Sequence, residues 1–138
     1  MQEQIRIERI RVKDLYKFAS QTLLKTKKTD ILPITKHRAL AHSNNPCADE
    51  NDIGLLVAYM GSQCIGYLGL MPGLLKKDAQ FSKVYWLSAF YVPLKFRKTC
   101  VAVFLMLNAF SLQHDIFTTG VSQEGEKRAY VKFSAKNP

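Results

Sequence analysis

A mixed α/β (α+β) fold in a single domain, residues 1–138, is predicted by three observations. Runs of apolar residues alternate between strand-like and helix-like periods in the order β, α, α, β, β, β, α, β, α. A hydrophobic content of 47% over 138 residues suits one domain with one core. An aromatic, β-branched run from Val84 to Val92 leads through a basic loop, Pro93 to Cys100, into an apolar run from Val101 to Phe110. That last unit requires a strand feeding a helix, followed by a further strand.

Each element follows from its local pattern. Residues 5–12, IRIERIRV, alternate imperfectly and read as a strand with one polar face. Asp14 is placed to cap a helix whose apolar stripe is Leu15, Phe18, Ala19, Thr22 and Leu23, ending near Lys25. Lys25, Lys27 and Lys28 then sit where a helix C-terminus favours cations. Leu32-Pro33-Ile34 is a break, and Thr35 caps a short helix through His42. Cys47 to Asp52 is an acidic loop. Strands 53–59 and 64–70 flank a Met60-Gly-Ser-Gln63 turn, and Pro72-Gly73 is expected to end the second. Residues 74–82 read as a basic connection. Ten of the twelve residues from Val101 to Leu112 are apolar, so the helix from about 100 to 113 is expected to be buried on most of its surface. A strand at 115–121 and a last helix at 123–133, capped by Ser122, complete the order.

Composition excludes several classes. No stretch reaches the roughly 18 uncharged apolar residues that a membrane span needs. The charged N-terminus lacks an apolar signal core, so a cytoplasmic location is expected. Three cysteines without CxxC spacing argue against a disulfide framework or a zinc site, and no metal is expected. Cys64 lies in an apolar run and is assigned to the core. The net charge is +9, and residues 76–99 hold six cations (Lys76, Lys77, Lys83, Lys95, Arg97, Lys98) against Asp78 alone. Such a field attracts nucleic acid, a phosphorylated cofactor or an acidic partner. No zinc-finger spacing, helix-turn-helix signal or RGG run favours nucleic acid. A cationic turn before a helix offers free N–H groups and a positive dipole end to an anion. Spacing alone leaves two readings of the turn, a phosphate site or a solvated strand–loop–helix.

With these residues in view, the chain resembles the GCN5-related N-acetyltransferase (GNAT) superfamily over nearly its whole length. The loop Arg97-Lys-Thr-Cys-Val-Ala102 is similar to the family's Q/R-x-x-G-x-G/A pyrophosphate loop. Arg97 and Ala102 match, Cys100 replaces the first glycine, and Lys98 stands where a further glycine is common. Residues 119–133 resemble the strand and helix that end in the family's tyrosine signature, with Gln123 at a frequent Asn and Tyr130 on the tyrosine. The hairpin Leu55-Leu-Val-Ala, Gly61, Ile65-Gly-Tyr67 is the third match. The chain ends after the last helix, so the family's C-terminal β-hairpin is missing. Either the chain is a fragment, or a partner completes the sheet, for which a homodimer is one possibility.

The resemblance implies a mostly antiparallel central sheet with helices on both faces. It also implies acetyl-CoA as co-substrate and direct transfer of the acetyl group to a primary amine, on a small molecule or a peptide. The backbone of Phe90 and Val92 would pair with the pantetheine arm of acetyl-CoA, and a backbone N–H near Phe90 to Tyr91 would polarise the thioester carbonyl. Its phosphates would be held by Arg97 and Lys98 and by the N–H groups of residues 98–103, Thr99, Cys100, Val101 and Ala102 among them, with Gln123 also on the cofactor. Tyr130 would protonate the departing thiolate. The base is open among Tyr85, Ser88, His37, His42 and Glu50. A residue at Cys100 with positive φ would be strained by roughly 1 kcal/mol. Two other readings remain: a catalytically inactive GNAT-like binding or assembly module, and a basic nucleic-acid-binding domain.

Overall fold

The computed structural model describes residues 4–27 and 30–118. Strand β1 (Ile5–Arg11) runs through a 3-10 turn into helix α1 (Leu15–Lys25), and α2 (Lys36–Ser43) follows. Strands β2 (Ile53–Met60), β3 (Gln63–Lys77) and β4 (Gln80–Tyr91) come next, then a second 3-10 turn, α3 (Val101–Phe110) and β5 (Asp115–Phe117). The sheet order is β1-β2-β3-β4-β5, antiparallel except for the parallel β4–β5 pair.

Helices cover both faces, and β2 shows why its sequence has no polar side. Leu55 and Val57 pack under α1 and α2 with Leu15, Ala19 and Ala39. Leu56 and Ala58 pack under α3 with Val101, Leu105 and Met106. A strand covered twice is apolar at successive positions. The same double cover accounts for β1. Ile5 and Ile7 pack on the α3 side and Ile10 on the other, so the strand has no wholly polar face. Arg9 reaches α3, where it donates to Ser111 Oγ at 2.8 Å.

Local signals operate where the chain is short of alternatives. Thr35 caps α2 by accepting the Arg38 N–H at 3.2 Å. Gly61 takes φ 63° in the β2–β3 turn, a conformation glycine adopts without steric cost. Asp14 stands at the start of α1 but its side chain makes no cap. Instead, the acidic loop anchors the turn before it, with Asp52 O and Glu50 O accepting from the Val12 and Lys13 N–H groups. Leu23 is half exposed, so the buried stripe of α1 is narrower than its apolar positions.

Two expectations fail for tertiary reasons. Pro72-Gly73 does not end β3, which pairs with β4 as far as Lys77↔Gln80. The β2–β3 pairing stops at Leu55↔Gly69, so Pro72 lies where β3 has a strand partner on one side only. A missing N–H costs nothing there. Residues 74–82 therefore form the end of a long hairpin, turned by Asp78 and Ala79 at φ 52° and 65°. The second failure concerns α3. Val101, Leu105, Met106 and Ala109 are buried, but Val103, Phe104 and Leu107 are 40–46% exposed. The helix also ends at Phe110, and Gln113 turns the chain at φ 61°. The strand expected at 115–121 is β5 as far as Phe117, and the helix at 123–133 lies outside the described residues. Among the described residues, no helix is long and apolar enough to cross a membrane.

Candidate functional site

The site is organised by an irregularity in β4. Gly69 pairs with Ala89, yet Leu70 pairs with Leu87, so Ser88 is an extra residue on β4. Such a bulge breaks the ladder locally and re-aims backbone groups. Glycine at 69 permits it. A Cβ there would lie 2.4 Å from Ser88 Oγ and 3.4 Å from the Ala89 nitrogen. The Ser88 carbonyl accepts a hydrogen bond from Arg38 Nη2 of α2 at 3.4 Å. Ser88 Oγ is buried and has no hydrogen-bond partner among the described residues. Beside it, the rings of Tyr67 and Tyr91 pair at 5.9 Å.

The other side of β4 faces β5, and the described pairing covers only Val84↔Asp115 to Trp86↔Phe117. Trp86 and Phe117 pack their rings at 5.3 Å across this pair. Past that point β4 carries on through the bulge to Tyr91 and the basic turn.

The turn brings the expected phosphate residues together. Arg97 Nε donates to Val92 O at 2.9 Å, which folds its side chain against the strand end. The Thr99 hydroxyl donates to Phe96 O at 2.5 Å, and the Val101 N–H donates to Thr99 Oγ1 at 3.4 Å. No side chain of residue 100 caps α3. The Ala102 N–H is therefore among those a helix start leaves without an intrahelical partner. Cys100 has φ −82° and ψ 9°, so the strain expected of a non-glycine residue does not arise. Arg97, Lys98, Thr99 and Cys100 are exposed, whereas the Val101 side chain is buried and Ala102 half-buried. Val92 is buried in the α3-side core and Phe90 packs against it, while Tyr91 is exposed. Gln123 and Tyr130 lie outside the described residues.

The candidate bases separate. Tyr85 belongs to the core, its hydroxyl pKa raised by burial, and His114 packs edge-on against its ring. His37 is exposed on α2. Glu50 is exposed and its carbonyl serves the start of α1. His42 is half-buried one turn after Arg38, and its Nδ1 is buried without a partner among the described residues. Burial, then the Arg38 charge, lower its pKa below 6.5, so it is neutral at pH 7. Lys83 leaves the basic cluster, since Asp49 and Asp52 each accept from its ammonium at 2.6 Å.

A cleft of about 750 Å³ opens between α1, β1–β2 and the turn after β4, lined in part by Glu8, Phe18, Asp30, Tyr59, Cys64 and Lys95. Burial pushes the Tyr59 hydroxyl up to about 12 and the Cys64 thiol up to about 11, so neither ionises at neutral pH. Cys64 is accordingly a packing residue. Sequence reasoning missed Arg38, the bulge and this cleft. The one local signal was a glycine inside a strand, Gly69, which marks a bulge or a close approach.

No family model and no curated protein matches the chain. Solved structures do. An aminoglycoside acetyltransferase from an uncultured soil metagenomic sample is 17% identical, with 97% of this chain and 88% of that one covered at a TM-score of 0.54. Arabidopsis thaliana NAA60, solved with acetyl-CoA, is 13% identical over 95% and 86% at a TM-score of 0.61. A transcriptional regulator from Bacillus halodurans is 18% identical over 94% and 91% at a TM-score of 0.62. The chain shares its fold with these structures.

Proposed function

We propose that this chain is an N-acetyltransferase that moves an acetyl group from acetyl-CoA to a primary amine. The observation that carries the reading is the Ser88 bulge on β4, joined within a few residues to an uncapped helix start behind a basic turn. The first offers backbone donors to a carbonyl, the second offers donors to phosphates. The likeness to acetyltransferases supports the same reading, two of which were solved with acetyl-CoA or a CoA bisubstrate analogue.

Acetyl-CoA supplies an acyl thioester. Arg97, Lys98 and the N–H groups at the start of α3 hold its diphosphate; the Thr99 N–H already donates to Phe96 O and the Val101 N–H to Thr99 Oγ1, so among the described residues Cys100 and Ala102 supply the backbone donors. The β4 end at Phe90, Tyr91 and Val92 flanks its arm. A backbone N–H beside the bulge polarises the thioester carbonyl. The amine lone pair forms the new C–N bond as the C–S bond breaks, and the bond electrons leave on sulfur. His42 takes the amine proton, directly or through water, and Tyr130 returns one to the thiolate.

Titration calorimetry with acetyl-CoA, using desulfo-CoA and ATP as controls, tests the cofactor assignment. Micromolar binding that needs the pantetheine arm is expected. Arg97→Glu replaces a phosphate donor by a repelling charge and weakens binding by about tenfold or more. Unchanged affinity in that variant removes the turn from the site.

His42 gives the reading a pH signature. A base must be neutral, and a lowered pKa keeps it neutral into more acidic solution. The acidic limb of kcat/KM therefore falls below pH 6.5. His42→Gln abolishes that limb along with most of the rate. A limb that persists unchanged in His42→Gln assigns the proton to another group.

A further inference from the structure

We propose that Arg38 selects the acceptor, and that the acceptor is an amine carrying a carboxylate. The inference rests on the N-acetyltransferase reading above and names the substrate class for that site.

Arg38 is half-buried on α2, and it touches the bulge itself through the Ser88 carbonyl. Among the described residues, that bond uses one of five N–H donors in a planar fork. No carboxylate among the described residues lies within ion-pair distance of it. The acids of the neighbouring elements are engaged elsewhere. Asp49 and Asp52 hold Lys83, Glu8 pairs with Arg6, and Asp30 accepts the Lys27 N–H. A half-buried guanidinium without a counter-charge is costly unless a ligand supplies one.

The surroundings point the same way. Ser88 Oγ on β4 and His42 Nδ1 on α2 are buried without hydrogen-bond partners among the described residues. Tyr67 and Tyr91 wall the adjacent sheet surface. The Arg38 field reaches both Tyr67 and His42. Arg38 and Ser88 Oγ thus lie at the bulge with spare hydrogen-bonding capacity, His42 stands one turn further along α2, and the Arg38 charge at the bulge is positive. A carboxylate matches the Arg38 fork in two parallel hydrogen bonds. An amine carried on the same molecule is then held next to the acyl carbon, beside the neutral imidazole. A polycationic amino sugar meets Arg38 as a like charge and is disfavoured, although some structures of this fold are aminoglycoside acetyltransferases.

Matched amines decide the matter on the intact chain. Lysine and 1,5-diaminopentane differ by one carboxylate, as do alanine and ethylamine, and in each pair only the first member carries one. Glucosamine and glucosamine 6-phosphate separate a carboxylate from a phosphate requirement. Binding is read from the fluorescence of Trp86, two residues before the bulge, with CoA present, and acetyl-CoA affinity is measured beside it. The carboxylated member of each pair is expected to bind about 10- to 100-fold tighter, while Arg38→Gln erases the difference and leaves acetyl-CoA affinity unchanged. Arg38→Lys, which keeps the charge but loses the fork, recovers part of it. Equal affinity within the pairs, a preference that survives in Arg38→Gln, tighter binding of the phosphate sugar alone, or no acceptor binding by a protein that binds acetyl-CoA overturns the proposal. Failure of the wild-type protein to bind acetyl-CoA overturns the parent reading and the proposal together.

Discussion

Gly69→Val lowers turnover by about 100-fold or more while acetyl-CoA affinity changes by no more than a few fold. The reason is steric and local. A Cβ at 69 sits 2.4 Å from Ser88 Oγ, 3.4 Å from the Ala89 nitrogen and 3.6 Å from the Ala89 Cβ. The hydroxyl can rotate away from a single methyl, so Gly69→Ala is milder. The branched methyls of valine also meet the Ala89 backbone and displace the bulge. The turn at 97–102 is on another element and keeps its donors. Release of CoA thiol measures turnover, and calorimetry measures affinity in the same preparation. Ser88→Gly combined with Gly69→Ala removes the clashing oxygen and is expected to recover activity lost in Gly69→Ala alone. Wild-type turnover in Gly69→Val means that the bulge does not position the reacting carbonyl.

The bulge also shows which parts of this protein are written locally. The apolar run of β2, the Thr35 cap and the strand–turn–helix at 84–110 are short-range patterns, and each takes the expected form. The position of Ser88 depends on the register of β4 against β3, a pairing between distant segments. Nothing in Leu87-Ser88-Ala89 announces it. The long hairpin was hidden for a similar reason. Pro72 reads as a terminator unless β3 is known to lack its second neighbour there, and Asp78-Ala79 does not carry the glycine that marks most tight turns. Exposure on α3 was equally opaque. Val103, Phe104 and Leu107 are as apolar as Leu105 and Met106, and only the packing against the sheet distinguishes them. Of the site, the basic turn was legible because its charges are contiguous. Arg38 was not, because its role comes from a strand fifty residues away.

Lys83→Met destabilises the fold by about 2 kcal/mol, a fall of roughly 8 °C in Tm for a domain of this size. The Lys83 side chain is 18% exposed and that of Asp52 13%, so removing the cation leaves an acid on a largely buried side chain unpaired. Asp49 is 80% exposed, and its half of the cluster adds little. Asp49→Ala is therefore nearly silent. The loss spreads because Asp52 also accepts the Val12 N–H at the entrance to α1, and Glu50 accepts that of Lys13. The pH dependence has a fixed sign. Burial alone would lower the Lys83 pKa, but the hydrogen bonds to Asp49 and Asp52 outweigh it and hold the pKa above 10.5. A cation whose folded pKa exceeds its unfolded value stabilises the fold fully below the unfolded pKa. That contribution disappears as pH rises through the folded pKa. The gap in unfolding midpoint between wild type and Lys83→Met should thus hold steady from neutral pH to about 10.5 and shrink above it. Denaturant titrations across that range measure it. A gap that is absent at pH 7, or one that does not narrow in strong alkali, shows that the acidic loop is held to β4 by packing and backbone hydrogen bonds rather than by this ion pair.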